Sequence, residues 1–340
     1  MMNRGEIEAV ARSLVAPGKG ILAADESAPT IEKRFGTIGL PSTEENRRAY
    51  RELLFTAPGV DAFISGVILF DETMRQSTRD GTPFPRLLAR RGVVPGIKVD
   101  AGAKELAGFP GEKVTEGLDG LRGRLATYRE QGARFAKWRA VIDIGAGIPT
   151  PCCLRTNADA LARYSALCQE AGIVPIVEPE VLMDGGHGID RCEEVTTETL
   201  SLVYGELVRH RVHLEGTLLK PNMVIPGKKC PVQAGVEQVA EATVRTLRRV
   251  VPSAVPGIVF LSGGQTPRQA TEHLSAMNAM GTHPWELGFS YGRALQDPVL
   301  KAWKGDAANV ASAQKALRHR AELNGAARYG KYSPAMEDAA

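Results

Sequence analysis

No membrane-length apolar run, no C-x-x-C pair and no H-E-x-x-H segment occur in this chain of 340 residues. The five cysteines, Cys152, Cys153, Cys168, Cys192 and Cys230, are odd in number. They read as thiols of a reduced, intracellular protein, the adjacent pair packing as small apolar residues. Of the six histidines only His210 and His213 stand close together, so a histidine-based metal centre is not expected. Lys and Arg exceed Asp and Glu by three, 42 against 39. That balance offers no field for nucleic acid or an acidic membrane surface. The opening MMNRGEIEAVARSLVAPGKG lacks the apolar stretch of a secretory signal. A cytoplasmic location is expected, a plastid form already freed of its transit segment staying open.

What the chain does have is a regular alternation. Eight short apolar runs bounded by glycine and proline read as buried parallel strands: 20–27, 62–69, 96–100, 134–141, 173–180, 216–221, 257–264 and 286–293. Helical periods fill the gaps. PSTEENRRAYRELLF suggests a capping box of Ser42 with Glu45, and TNADALARYSALCQEAG a helix capped by Asn157 and stopped at Gly172. VEQVAEATVRTLRRVV has helical spacing, and Thr266 precedes Pro267, a favoured first helical residue. An extra N-terminal helix is expected to begin within Asn3–Glu6, and another follows the eighth strand. The stretch 71–95 reads as an irregular surface excursion. This pattern predicts an α/β fold, a (β/α)8 TIM barrel in one domain over 1–324, with a flexible C-terminal tail over 325–340. An open doubly wound sheet would carry G-x-G-x-x-G after its first strand, and GILAADES has none.

Nearly every run carries polar chemistry near its C-terminal end. These residues are Asp25, Lys98 with Asp100, Lys137 with Arg139, Glu178 with Glu180, Lys220, Ser262 and Arg293. A single charge there would be an ordinary ion-paired strand end. Polar residues on the same end of seven of the eight runs predict one site at the barrel mouth. Three lysines among carboxylates suit imine chemistry on a carbonyl substrate. The amine must be neutral to attack, whereas a free lysine has a pKa of about 10.4; burial or a neighbouring cation lowers it. Lys220, between Leu219 and Pro221, has the most apolar surroundings and is the expected nucleophile. Lys137 is its candidate cationic neighbour and Glu178 the candidate proton shuttle. LSGGQT and FSYGRAL, with Ser262, Gly263, Gly264, Ser290 and Arg293, suit a phosphate. Lys33 and Arg34 are candidates for a second phosphate on the far side, or else a solvated pair in a loop.

In order along the chain, GILAADES, GIKVD, FAKWR, PIVEPE, GTLLKPNMV, FLSGGQ and SYGRALQ resemble the signature segments of class I (Schiff-base) fructose-bisphosphate aldolases. FISG, RQSTRDG and GHGID are closer to the plastid and bacterial branch than to the animal one. The resemblance implies a lyase of glycolysis and gluconeogenesis acting on a phosphorylated sugar, a homotetramer, with no metal and no cofactor. It implies that Lys220 forms the imine, that Glu178 is the general acid/base and that Asp25 assists cleavage at the C4 hydroxyl. Lys137 would be an electrostatic and proton-relay partner. Lys98, Arg139 and Glu180 match polar pocket positions. Ser262, Gly263, Gly264, Ser290, Gly292 and Arg293 match one phosphate site, and Arg34 part of the other.

The chain departs from animal members in two places. After Ser27 it reads Ala28-Pro29-Thr30-Ile31, and Pro29 is expected to stiffen a loop holding Arg34. Animal members also end on a tyrosine that reaches the site, whereas Tyr329 and Tyr332 here match interior positions. Other readings are a sedoheptulose-bisphosphate aldolase, a transaldolase, or a non-catalytic scaffold on the same fold.

Overall fold

Parallel strands buried on both faces must be apolar throughout, and the eight runs meet that need by closing on one another. The computed structural model describes residues 4–338. Among these residues ten strands form: β1 (Gly20–Ala24), β2 (Ile64–Leu69), β3 (Val94–Lys98), β4 (Gly102–Glu105), β5 (Lys113–Glu116), β6 (Phe135–Ile142), β7 (Val174–Val181), β8 (Leu218–Leu219), β9 (Gly257–Phe260) and β10 (Glu286–Tyr291). All but β4 and β5 make a closed parallel barrel in the cyclic order β1-β2-β3-β6-β7-β8-β9-β10, with helices outside. This is the (β/α)8 barrel expected. Although β8 is only two residues long, its pairing runs on: the Lys220 N–H donates to Val177 O at 2.8 Å and the Leu261 N–H to Pro221 O at 3.1 Å.

The barrel is filled rather than hollow. The Phe135 ring lies against Gly96, where a Cβ would come within 2.2 Å of it. The helix Arg4–Leu14 closes the N-terminal end of the barrel: a Cβ on Gly66 would stand 2.6 Å from a Leu14 methyl, and one on Gly257 2.5 Å from Val15. The extra N-terminal helix is therefore part of the core, and Asn3, its expected start, lies outside the described residues. By plugging one end, it leaves the other for the site.

Several local expectations change. The helix Glu44–Thr56 is capped by Thr43, whose hydroxyl accepts from the Asn46 N–H, not by Ser42. The helix Pro151–Glu170 starts at Thr150, and Asn157 is a buried interior residue rather than its cap. The Asn157 amide instead donates to the carbonyls of Lys113 and Cys153, 2.8 and 3.0 Å away. Thr266 does cap Pro267–Ala279, with Gln269 completing a capping box. Residues 71–95 are more ordered than expected, with helices Asp71–Arg75 and Phe84–Arg90 before β3. The antiparallel hairpin β4–β5 was not anticipated, because each strand is only four residues long and half-exposed.

The last long helix, Val310–Ala327, runs past residue 324. Buried Arg328 then donates to the carbonyls of Val15, Ala16 and Lys19 at 2.6–3.1 Å, tying this segment to the barrel's closed end. Among the described residues, no helix is long and apolar enough to cross a membrane.

Candidate active site

At the C-terminal ends of the strands lies a cavity of about 950 Å³. Residues two apart on a strand share a face, so β6 offers Lys137 and Arg139 to this cavity and β7 offers Glu178 and Glu180. Lys220 follows β8 on backbone already fixed by pairing. Asn222 locks the turn after it: its Oδ1 accepts the Val181 N–H at 3.0 Å and its amide donates to Thr196 Oγ1 at 3.1 Å.

Four charged side chains form a continuous line. Lys220 Nζ is 3.0 Å from Glu178 Oε1, Lys137 Nζ is 3.3 Å from Glu178 Oε2, and the same Nζ is 2.8 Å from Asp25 Oδ2. Lys220, Glu178 and Lys137 are nearly inaccessible and Asp25 only slightly less so. Two cations and two anions in alternation compensate one another, as buried charge requires. Burial opposes the charge of Lys137, but Asp25 and Glu178 outweigh it and hold its ammonium well above the usual lysine range. Burial likewise works against the Asp25 carboxylate, yet Lys137 and Lys220 hold it well below the usual carboxyl range. In the resting site Lys137 is therefore held as a cation and Asp25 as an anion.

Next to this line, Lys98 donates to Asp100 at 2.6 Å, and Arg139 pairs with Glu180. Beyond β9, Ser262 is buried and Gly263 and Gly264 have φ of +58° and +93°, a left-handed conformation that other residues rarely adopt. The Gln265 amide donates to Ser262 O at 3.1 Å and its Oε1 meets His273 Nδ1 at 2.5 Å, bracing the loop. Ser290 Oγ is buried with no hydrogen-bond partner among the described residues, Gly292 precedes the helix Arg293–Trp303, and Arg293 opens that helix. Ser262, Gly263, Ser290, Gly292 and Arg293 all line the cavity.

The structure gives Arg34 a different neighbourhood from the one expected. It lies in the helix Ala28–Gly36, with Pro29 in the first turn, and not in a loop. A Cβ on Gly292 would stand 3.5 Å from Arg34 Nη2, so Arg34 is beside the glycine-rich cradle rather than remote from it. Glu26 places it. This buried carboxylate pairs with Arg34, with Arg51 at 2.7 Å and with the Gln296 amide at 2.8 Å. Sequence reading missed Glu26, Arg51 and Gln296. The available signal was the double acid Asp25-Glu26 directly after the first strand, and both residues line the cavity.

One group of possible metal ligands forms among the described residues, away from the cavity: Asp159, Glu206 and His210, with ligand-type atoms within 4.8 Å of one another. It was not foreseen, because two of its members come from neighbouring helices. Arg209 pairs with Glu206 at 2.7 Å and Arg163 lies 3.8 Å from Asp159.

Residues 6–340 match the family model described as fructose-bisphosphate aldolase class I. The chain belongs to that family. It is 58% identical to a probable class 1 fructose-bisphosphate aldolase of Xanthomonas campestris over 97% of this chain and 99% of that one. It is 56% identical to the cytoplasmic aldolase isozyme of Spinacia oleracea, covering 96% and 92% of the two chains. A solved fructose-bisphosphate aldolase of Plasmodium falciparum, in complex with TRAP and a small-molecule inhibitor, superposes with a TM-score of 0.96 at 51% identity. That match covers 97% of this chain and 95% of the other. Aldolase membership gives the line of four charges a reaction to be read against.

Proposed function

We propose that this chain is a class I aldolase working through an imine on Lys220. It is a lyase, reversibly cleaving fructose 1,6-bisphosphate to dihydroxyacetone phosphate and glyceraldehyde 3-phosphate. The observation that carries the mechanism is the buried Lys220, whose ammonium touches a carboxylate in a line ending at Asp25.

Glu178 takes a proton from Lys220, and the free amine attacks the ketose C2 carbonyl. Glu178 then returns a proton to the carbinolamine hydroxyl, which leaves as water and forms the iminium. Asp25 accepts the C4 hydroxyl proton as the C3–C4 bond breaks. Its electron pair flows into the iminium nitrogen, glyceraldehyde 3-phosphate departs and an enamine stays on Lys220. Protonation at C3 and addition of water release dihydroxyacetone phosphate and restore the lysine. Lys137, a cation at rest between Asp25 and Glu178, stabilises both carboxylates and relays protons between them by giving one up and taking another back. Ser262, Gly263, Gly264, Ser290, Gly292 and Arg293 hold one phosphate. Arg34, Lys98 and Arg139 steer the rest of the substrate, with Glu180 orienting Arg139.

We read the protein as cytoplasmic and homotetrameric, which light scattering checks against four times the chain mass of 36.5 kDa. The function itself is tested by coupled assay of fructose 1,6-bisphosphate cleavage in EDTA, with sedoheptulose 1,7-bisphosphate alongside. Cleavage that survives EDTA and is lost in Lys220→Met supports the proposal. EDTA-sensitive cleavage, or full activity in Lys220→Met, overturns it.

A further inference from the structure

Lys228 stands over the glycine-rich cradle although no part of the proposed chemistry uses it. A Cβ on Gly264 would lie 2.7 Å from Lys228 Nζ and 3.5 Å from Arg293 Nη1. An ammonium and a guanidinium thus converge on the same bare backbone. The backbone at Lys228 is well anchored: its N–H donates to Met183 O at 2.7 Å, Gly227 N–H to His187 O at 2.8 Å and Lys229 N–H to Gly185 O at 3.0 Å. The head group is much less committed. Its partner is Asp184 at 2.9 Å, and the two side chains are 42% and 63% exposed. A pair so open to water costs little to separate. Asp184 is one carboxylate facing several cations, held below its usual range first by the Lys228 hydrogen bond, against burial, and then by the charges of Arg293 and Arg139.

We infer that Lys228 is a further phosphate-binding residue, held by Asp184 at rest and released to the phosphomonoester dianion seated on Ser262, Gly263, Gly264 and Arg293. The inference rests on reading that cradle as a phosphate site. Lysine suits the role because its flexible stem and point charge can leave one oxyanion for another without a fixed fork geometry.

Calorimetric titration of inorganic phosphate into the wild type, Lys228→Met, Lys228→Arg and Asp184→Asn proteins tests it. Lys228→Met should weaken binding about tenfold and flatten its dependence on ionic strength, while Lys228→Arg retains most of the affinity. Asp184→Asn should bind at least as tightly as the wild type, since it removes the competing carboxylate. The Lys228→Met effect should shrink in an Arg293→Met background, where the shared anion is already lost. Wild-type affinity in Lys228→Met, parallel weakening by Lys228→Met and Asp184→Asn, or an undiminished effect without Arg293 each overturns the inference. If the wild type fails to cleave fructose 1,6-bisphosphate while Lys228→Met still loses phosphate, the substrate reading falls and the anion site stands.

Discussion

Lys220 Nζ lies 3.0 Å from Glu178 Oε1, close enough for direct proton transfer with no intervening group. One carboxylate can therefore remove the proton that blocks attack and later donate it to the departing hydroxyl. Glu178→Gln keeps the shape and hydrogen-bonding reach but cannot transfer a proton. Its turnover should fall about 10²- to 10⁴-fold while substrate affinity changes little, as steady-state kinetics will show. A variant within a factor of two of the wild type would remove Glu178 from the chemistry.

Asp25 touches Lys137 at 2.8 Å and has no direct ion pair with Lys220. Asp25→Asn should separate the two halves of the reaction. Imine formation persists, so reductive trapping with fructose 1,6-bisphosphate still labels the protein, while release of glyceraldehyde 3-phosphate drops about 10²-fold or more. Loss of trapping along with cleavage would place Asp25 earlier in the sequence of steps.

The barrel was legible because it rests on pattern. Eight apolar runs closed by glycine or proline admit few arrangements, and polar residues at the same end of seven of them point to one mouth. Lys220, Glu178, Lys137 and Asp25 could be named because they end or punctuate those runs. What stayed hidden depends on contacts between distant segments. Glu26 serves Arg34, Arg51 and Gln296, which lie 8, 25 and 270 residues away, and no local period announces such a network. The placement of Arg34 beside Gly292 and of Lys228 over Gly264 likewise required the folded chain. The caps failed for a smaller reason. Ser42 and Thr43 are both good capping residues, and only the backbone decides between neighbours.

His273 braces the loop of Ser262, Gly263 and Gly264 through Gln265, and burial lowers its pKa from 6.5 to about 4. The native state therefore holds neutral imidazole while the unfolded chain takes up a proton below pH 6.5. Stability contributed at neutral pH is progressively lost as pH falls from 6.5 towards 4, by about 3 kcal/mol in all. Urea titrations across this range should show that slope, and His273→Asn should flatten it. A pH-independent difference between the two proteins would contradict the neutral, buried histidine.

Glu337 receives two hydrogen bonds from Arg320 Nη1, both 2.6 Å, and one from Tyr332 at 2.7 Å. Burial opposes its charge, but these contacts prevail and lower its pKa. Its contribution is thus present above the ordinary carboxyl range and lost as pH falls through the depressed value. Glu337→Gln should cost about 1–3 kcal/mol at pH 7. Deleting residues after Pro334 should lower the melting temperature by a similar mechanism yet leave turnover within about threefold, a change of under 1 kcal/mol in the barrier. A collapse in turnover with an unchanged melting temperature would instead give this segment a catalytic role.

The most direct measurement is borohydride reduction of the protein in the presence of fructose 1,6-bisphosphate and EDTA, with peptide mapping of the product. The mechanism predicts a single reduced sugar-phosphate or triose-phosphate adduct on Lys220, in the peptide containing GTLLKPNMV. An adduct on Lys98 or Lys137, or cleavage activity with no adduct at all, would contradict it.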